Sequence, residues 1–154
     1  VELFALPRPE FDHWYRFATV KAEPGPIRAA GGITVDAEEN LDLLQEASLI
    51  IVPGWRGADV PVPAALCAAL QKAHARGARI ASICSGVFVL AAAGLLEGRT
   101  ATTHWRYADQ LAERFPTITV DPSLTLSSFT RYRIRLPYGS LAPKGAAMGL
   151  PSST

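Results

Sequence analysis

The sequence predicts an α/β fold with a doubly wound parallel sheet, on three observations. Ser48-Leu49-Ile50-Ile51-Val52 is a continuous apolar run that stops at Pro53-Gly54, the pattern of a strand covered on both faces, as in parallel sheets. Apolar residues then recur at helical spacing, at Leu66, Ala69, Leu70 and Ala73, until Gly77 provides a stop. A second apolar strand, Arg79-Ile80-Ala81-Ser82-Ile83, comes directly after. Strand, helix and strand continue in alternation as far as Val120, which is the order of a parallel sheet with crossover helices.

Each remaining element has its own warrant. Over residues 15–22 aromatic and β-branched side chains alternate with polar ones, and Pro24, Gly25 and Pro26 close the segment as a turn, so a strand is expected there. The Gly31-Gly32 break precedes a brief strand over 33–35, and Leu41, Leu43, Leu44 and Ala47 suit a helix over 41–47. Pro63 suits the first turn of the helix that ends at Gly77. A further helix begins at Val87 and is expected to end near Gly94, followed by a strand over 100–103. Helical spacing from Trp105 to Phe115 stops before Pro116, and a last strand covers 118–120.

A chain of 154 residues with 49% hydrophobic content can fill one core. The net charge of +1 excludes a nucleic-acid surface spread over the whole chain, because phosphate binding needs a concentrated basic patch. Two cysteines, Cys67 and Cys84, make no disulfide framework, and no CxxC or HxxxH spacing points to a metal. No cofactor is expected, and a reducing cytoplasm is the expected setting. The longest apolar run, over 87–96, is too short to span a bilayer. The two ends read differently from the middle. Residues 1–6 resemble the end of an amphipathic helix that begins upstream. After Asp121 no Asp or Glu follows, whereas Arg131, Arg133, Arg135 and Lys144 do. An irregular, poorly ordered tail is therefore expected over 123–154, since it has too little apolar surface to offset its ordering entropy.

In doubly wound sheets ligands bind outside the carboxyl ends of the strands, which directs attention to Gly54, Cys84 and His104. Ser82-Ile83-Cys84-Ser85-Gly86 places a nucleophile-type residue between strand and helix with small residues two before and two after it. That meets the steric requirement of a nucleophile elbow. The competing reading of any free cysteine is a buried small hydrophobe, and Cys67, mid-helix with no polar company, keeps it. His104, ending the next strand, is placed to assist a thiolate or move a proton, although the same position suits a capping or solvent-exposed histidine. His13, in a loop, and His74, on a polar helix face, are not expected to be catalytic. Gly54 can offer a backbone N–H to an oxyanion, or serve an ordinary Pro-Gly turn. Trp55 and Arg56 line the same rim, where loop packing and a solvated charge are the alternative readings. No Asp or Glu stands at a strand tip as a third partner.

The run "IIVPGWRG", "ARIASICSGVFVLAAAGLLEGRTATTHW" and "RYADQLAERFP" resembles the ThiJ/PfpI group of the class I glutamine amidotransferase-like superfamily. It is most similar to the amino-terminal sensor domain of AraC-type transcription regulators, over about residues 1–122. The resemblance implies a flavodoxin-like sheet whose first strand lies before Val1. Matched by position, Cys84 resembles the elbow cysteine of the family and His104 the histidine that approaches it; Gly54 resembles the glycine facing the pocket. Trp55 and Ser85 fall beside them as ligand-binding positions. The protease branch has histidine directly after its elbow cysteine, and here Ser85 follows. The strand, Gly-rich turn and long apolar helix that continue the family fold are not recognisable after Pro122, a loss that a change of reading frame would produce.

Three functions follow from this resemblance. The first is a ligand-sensing module that holds a small molecule near Cys84 and acts on DNA only through a helix-turn-helix domain absent from this chain. The second is a cysteine enzyme, hydratase or glyoxalase-like, with Cys84 as nucleophile and His104 as acid–base partner. The third is an inactive truncated remnant. A homodimer is compatible with an exposed sheet edge.

Overall fold

The structure is a computed structural model, and residues 4–37 and 40–123 are described in it. They belong to one unit that closes at Leu124, so the expectation of an irregular tail falls, beyond Ser123, outside the described residues. β1 (Ile27–Arg28) and β2 (Thr34–Val35) come first, followed by a 3-10 helix at Leu41–Gln45 and β3 (Leu49–Val52). α1 (Ala64–Ala75) leads to β4 (Arg79–Ser82), and a 3-10 turn at Cys84–Gly86 runs directly into α2 (Val87–Ala92). β5 (Thr100–Ala101), a 3-10 turn at Trp105–Tyr107, α3 (Ala108–Arg114) and β6 (Thr119–Val120) complete the order.

The apolar run of β3 finds its partner in β4. The two pair in parallel from Leu49 with Arg79 to Val52 with Ser82, and α1 is the crossover between them, as parallel neighbours require. Gly77 makes that return sharp. At φ +99° it takes the left-handed position after the helix end, with its N–H on the His74 carbonyl at 2.9 Å and the Ala78 N–H on the Ala73 carbonyl at 3.0 Å, a Schellman closure. β5 and β6 form a second parallel pair, Thr100 with Thr119 and Ala101 with Val120. β1 and β2 pair antiparallel as a short arm.

α2 explains where the core sits. Its sequence is apolar on every side, which suits a helix enclosed all round. Val89 and Leu90 join Leu44, Ile50, Leu66, Leu70, Ala73 and Ala78 in one cluster. Val87, Phe88 and Ala91 join Ala58, Ala101, Leu111 and Ile118 in another. A single short helix thus ties the β3–β4 layer to the β5–β6 layer, and it begins at the Cys84 turn.

Several expectations are corrected. Residues 15–22 form no ladder strand; a lone bridge residue, Val20, marks the segment, because alternation supplies a strand's faces but no partner for its hydrogen bonds. A strand at Ile27–Arg28, directly after the expected Pro24-Gly25-Pro26 turn and not anticipated, pairs with β2. The expected helix at 41–47 is a five-residue 3-10 helix, tightened by the Asn40 side chain accepting the Asp42 N–H at 2.8 Å. The helix from Trp105 is a 3-10 turn followed by α3, and the strand over 100–103 shortens to two residues. Residues 4–6 form a turn. β3 is not covered on both faces: Ile50 is buried while Ile51, on the opposite face, is 38% exposed. Among the described residues the ladders are three separate pairs, of which β3–β4 and β5–β6 are held together through α2. The architecture is α/β with parallel pairs.

Candidate functional site at the Cys84 elbow

The site begins with a steric necessity. β4 ends at Ser82, and Ile83 stays extended, donating its N–H to the Val52 carbonyl at 3.0 Å. Cys84 then turns to φ +52°, the one non-glycine residue of the described chain in that region. A left-handed conformation costs an L residue about 1–2 kcal/mol, and such strain persists where the surroundings over-determine it. Gly86 shows how tightly they do. A Cβ placed there would lie 2.4 Å from the Val52 carbonyl oxygen and 3.2 Å from its carbon, so only glycine lets the helix start pass the end of β3. The Gly86 N–H closes back on the Ile83 carbonyl at 2.9 Å. Cys84 is left exposed above this turn, with Ser85 and Gly86 buried beneath.

Two neighbouring strand ends are fastened to the elbow. After β3, the Ser85 hydroxyl accepts the Trp55 N–H at 2.9 Å and donates to the Trp55 carbonyl at 2.8 Å. One side chain, 6% exposed, so satisfies both main-chain polar groups of a residue 30 positions away. Gly54 lies beside it, its Cβ position 3.6 Å from Ser85 Oγ, an ordinary contact. After β5, the Thr103 hydroxyl donates to the Cys84 carbonyl at 2.9 Å, bringing the Thr103-His104 end of that layer to the elbow.

Each sequence-predicted residue has a definite place. Cys84 presents its thiol at the surface. Trp55 is half-buried against the core that includes Leu66 and Leu70, with its indole N–H on the Val60 carbonyl at 2.9 Å and the Arg56 guanidinium 5.0 Å over its ring. Arg56 is itself paired with Glu23 at 2.9 Å. His104 is exposed and caps the 3-10 turn that follows it: Nδ1 accepts the Arg106 N–H at 3.3 Å. Its ring lies 5.3 Å from that of Trp105 and 6.2 Å from that of Tyr107. Among the described residues no hydrogen bond joins His104 to Cys84. Cys67 sits in α1 away from the elbow, where burial pushes its thiol up.

Sequence reasoning missed Thr103 and the bond Ser85 makes. A hydroxyl at each position was the available signal, but a partner 19 or 30 residues away leaves no local pattern. Trp105 was also passed over; it is 79% exposed directly after His104. Among the described residues no three His, Cys, Asp or Glu side chains converge on a metal position, and no helix is long and apolar enough to cross a membrane.

Residues 8–124 match the model of the DJ-1/PfpI family. A protein encoded in the cpoL 5′ region of Streptomyces lividans is 42% identical over 103 residues, covering 66% of this chain and 73% of that protein. The HTH-type transcriptional regulator CdhR of Pseudomonas aeruginosa is 35% identical over 111 residues, covering 71% of this chain. The match spans 33% of that regulator's own length. Among solved structures, a Vibrio parahaemolyticus protein assigned as a transcriptional regulator superimposes with a TM-score of 0.66 at 25% identity, over 75% of this chain and 61% of that one. The chain belongs to the DJ-1/PfpI family.

Proposed function

We propose that this DJ-1/PfpI-family chain carries the ligand-sensing domain of an AraC-type transcription regulator. Residues 1–122 form the small-molecule-binding unit, distinct from the 123–154 tail, and DNA is contacted only through a helix-turn-helix domain elsewhere. The observation that carries the reading is the elbow itself. Cys84 is exposed at a strained, sterically locked turn where the ends of β3, β4 and β5 meet, the place where open α/β sheets bind ligands. Cys84 and His104 face the ligand; Gly54, Trp55 and Ser85 make the wall. The regulators among its relatives support a signalling use of the domain; a cytoplasmic setting and a homodimer belong to the same proposal. Ile51 on β3 and Ile83 just past β4, both exposed, fit a flavodoxin-like sheet whose first strand is not among the described residues.

A fragment screen read by amide chemical shifts tests this. Small molecules that perturb Gly54, Trp55, Cys84, Ser85 and His104 together, without being consumed, are the expected result. A screen whose hits all bind elsewhere would sink the reading. A second reading, a cysteine enzyme, is favoured by the exposed thiol on a left-handed turn. It requires turnover of small aldehydes or isonitriles that disappears in Cys84→Ser. The capping bond held by His104 Nδ1 weighs against it, since that nitrogen is committed to the chain's own turn.

A further inference from the structure

The residue after the elbow cysteine does work of its own. Ser85 is buried, and its hydroxyl donates once and accepts once, both times to the backbone of Trp55. Trp55 lies three residues past the end of β3, where the ladder with β4 has stopped. There the serine side chain takes over the pairing that a strand neighbour would give. The remainder of the 53–63 loop is fastened away from Ser85: Arg56 to Glu23, the Trp55 indole to Val60, and the Arg114 guanidinium to the Ala58 carbonyl. At the elbow, next to Cys84 in sequence, the Ser85 hydroxyl makes the described polar ties.

From this we propose that Ser85 is a positioning residue: it fixes how close Gly54 and Trp55 lie to the Cys84 sulfur, and thereby the size of molecule the site admits. The proposal rests on the reading of the elbow as a binding site. Without the hydroxyl, the Trp55 N–H and carbonyl lose their partner in a partly buried place, and the group that must be satisfied is main chain. The loop then moves outward until water supplies those bonds, and the gap beside Cys84 widens. A hydroxyl on a slightly larger residue holds it.

The full chain tests this through Cys84 chemistry that needs no knowledge of the ligand. Alkylation of Cys84, resolved from that of Cys67 by peptide mass spectrometry, is timed with iodoacetamide and with N-phenylmaleimide in wild type, Ser85→Ala and Ser85→Thr. Amide exchange at Trp55 is followed alongside. In the wild type the Trp55 amide exchanges about tenfold or more slowly than that of Arg56. In Ser85→Ala that protection disappears, and the rate ratio of the bulky to the small reagent rises about fivefold; Ser85→Thr keeps both near wild type. A wild-type Trp55 amide as fast as Arg56, or a folded Ser85→Ala with an unchanged ratio, overturns the proposal. Should Ser85→Ala not fold, wild-type exchange and Ser85→Thr decide: loss of protection or of selectivity in the threonine variant counts against it. An elbow that attracts no ligand would end the sensor reading yet leave these rates as they are.

Discussion

The Cys84 elbow and the β1–β2 arm are both tight reversals of the chain, and they are held by opposite means. At the elbow a strained residue is surrounded by fixed partners: Val52 below, Trp55 on one side through Ser85, Thr103 on the other, and α2 sunk into both core clusters. The arm contains two residue pairs, Ile27 with Val35 and Arg28 with Thr34, closed by the Ala29 N–H on the Ile33 carbonyl at 2.8 Å. Its strand residues are all exposed, as is Ile33 between the strands at 62%, and the Lys21–Asp36 pair at 2.9 Å ties it back. An unfavourable conformation survives where many neighbours depend on it. A favourable turn with few neighbours contributes little to the whole, because two-stranded ribbons are marginal in water.

Substitutions sharpen this contrast in order of size. Phe88→Ala, one helical turn past the elbow in a fully enclosed position, is expected to cost about 4 kcal/mol, seen as a lowered urea midpoint. Gly86→Ala forces a Cβ onto the Val52 carbonyl; we expect a loss of about 3 kcal/mol. A Gly86→Ala protein melting like the wild type would show that the helix start is free to slide. Cys84→Gly removes the left-handed strain while adding backbone freedom to the unfolded chain, which leaves a net gain within about 1 kcal/mol. Calorimetry showing a clear drop in Tm would mean that the sulfur's contacts outweigh the strain. In the arm, Ile33→Thr changes stability by less than about 0.5 kcal/mol.

The smallest effect is electrostatic. The hydrogen bond and positive charge of Lys21 hold the Asp36 carboxyl below its ordinary value. Its folded pKa is lower than its unfolded one, so the pair stabilises above the unfolded pKa and that contribution is lost as pH falls through the folded value. Lys21→Ala should return the Asp36 titration, followed by NMR, to the usual aspartate range. An unmoved titration would assign the shift to the Ala37 N–H, which the same carboxylate accepts at 3.0 Å.

What could be read from the sequence follows the same divide between local and distant causes. β3, α1, β4 and the elbow were legible because each carries its cause within a few residues: an unbroken apolar run, a helical spacing ended by Gly77, a glycine two after Cys84. Residues 15–22 show a strand's alternation, yet strandness is completed by a partner that the pattern does not name. Of the arm, the brief strand expected over 33–35 was legible and appears as β2; its partner β1 was hidden for the converse reason, since a two-residue strand is too short to show a period beside Pro24, Gly25 and Pro26. His104 reads as a catalytic candidate because it ends the strand next to the elbow, with capping as the alternative, and the bond its Nδ1 accepts from the Arg106 N–H appears only in the structure. Ser85 was read as a ligand contact at the rim. Its hydroxyl proves to be turned onto Trp55 because the end of β3 comes back beside it.

The Val52 carbonyl carries one more implication, for the order in which the chain assembles. It receives the Ile83 N–H and lies under Gly86, so the turn at Cys84 is closed by a residue some thirty positions earlier. Local sequence alone gives Cys84 no reason to enter the left-handed region, and the compensating contacts exist only after β3 and β4 have found their register. Closing that loop comes before the reward. The elbow is therefore a late event in folding: weakening it at Cys84 should hasten unfolding and leave the folding rate nearly unchanged. The most strained corner of the described chain is set last, on a frame already built.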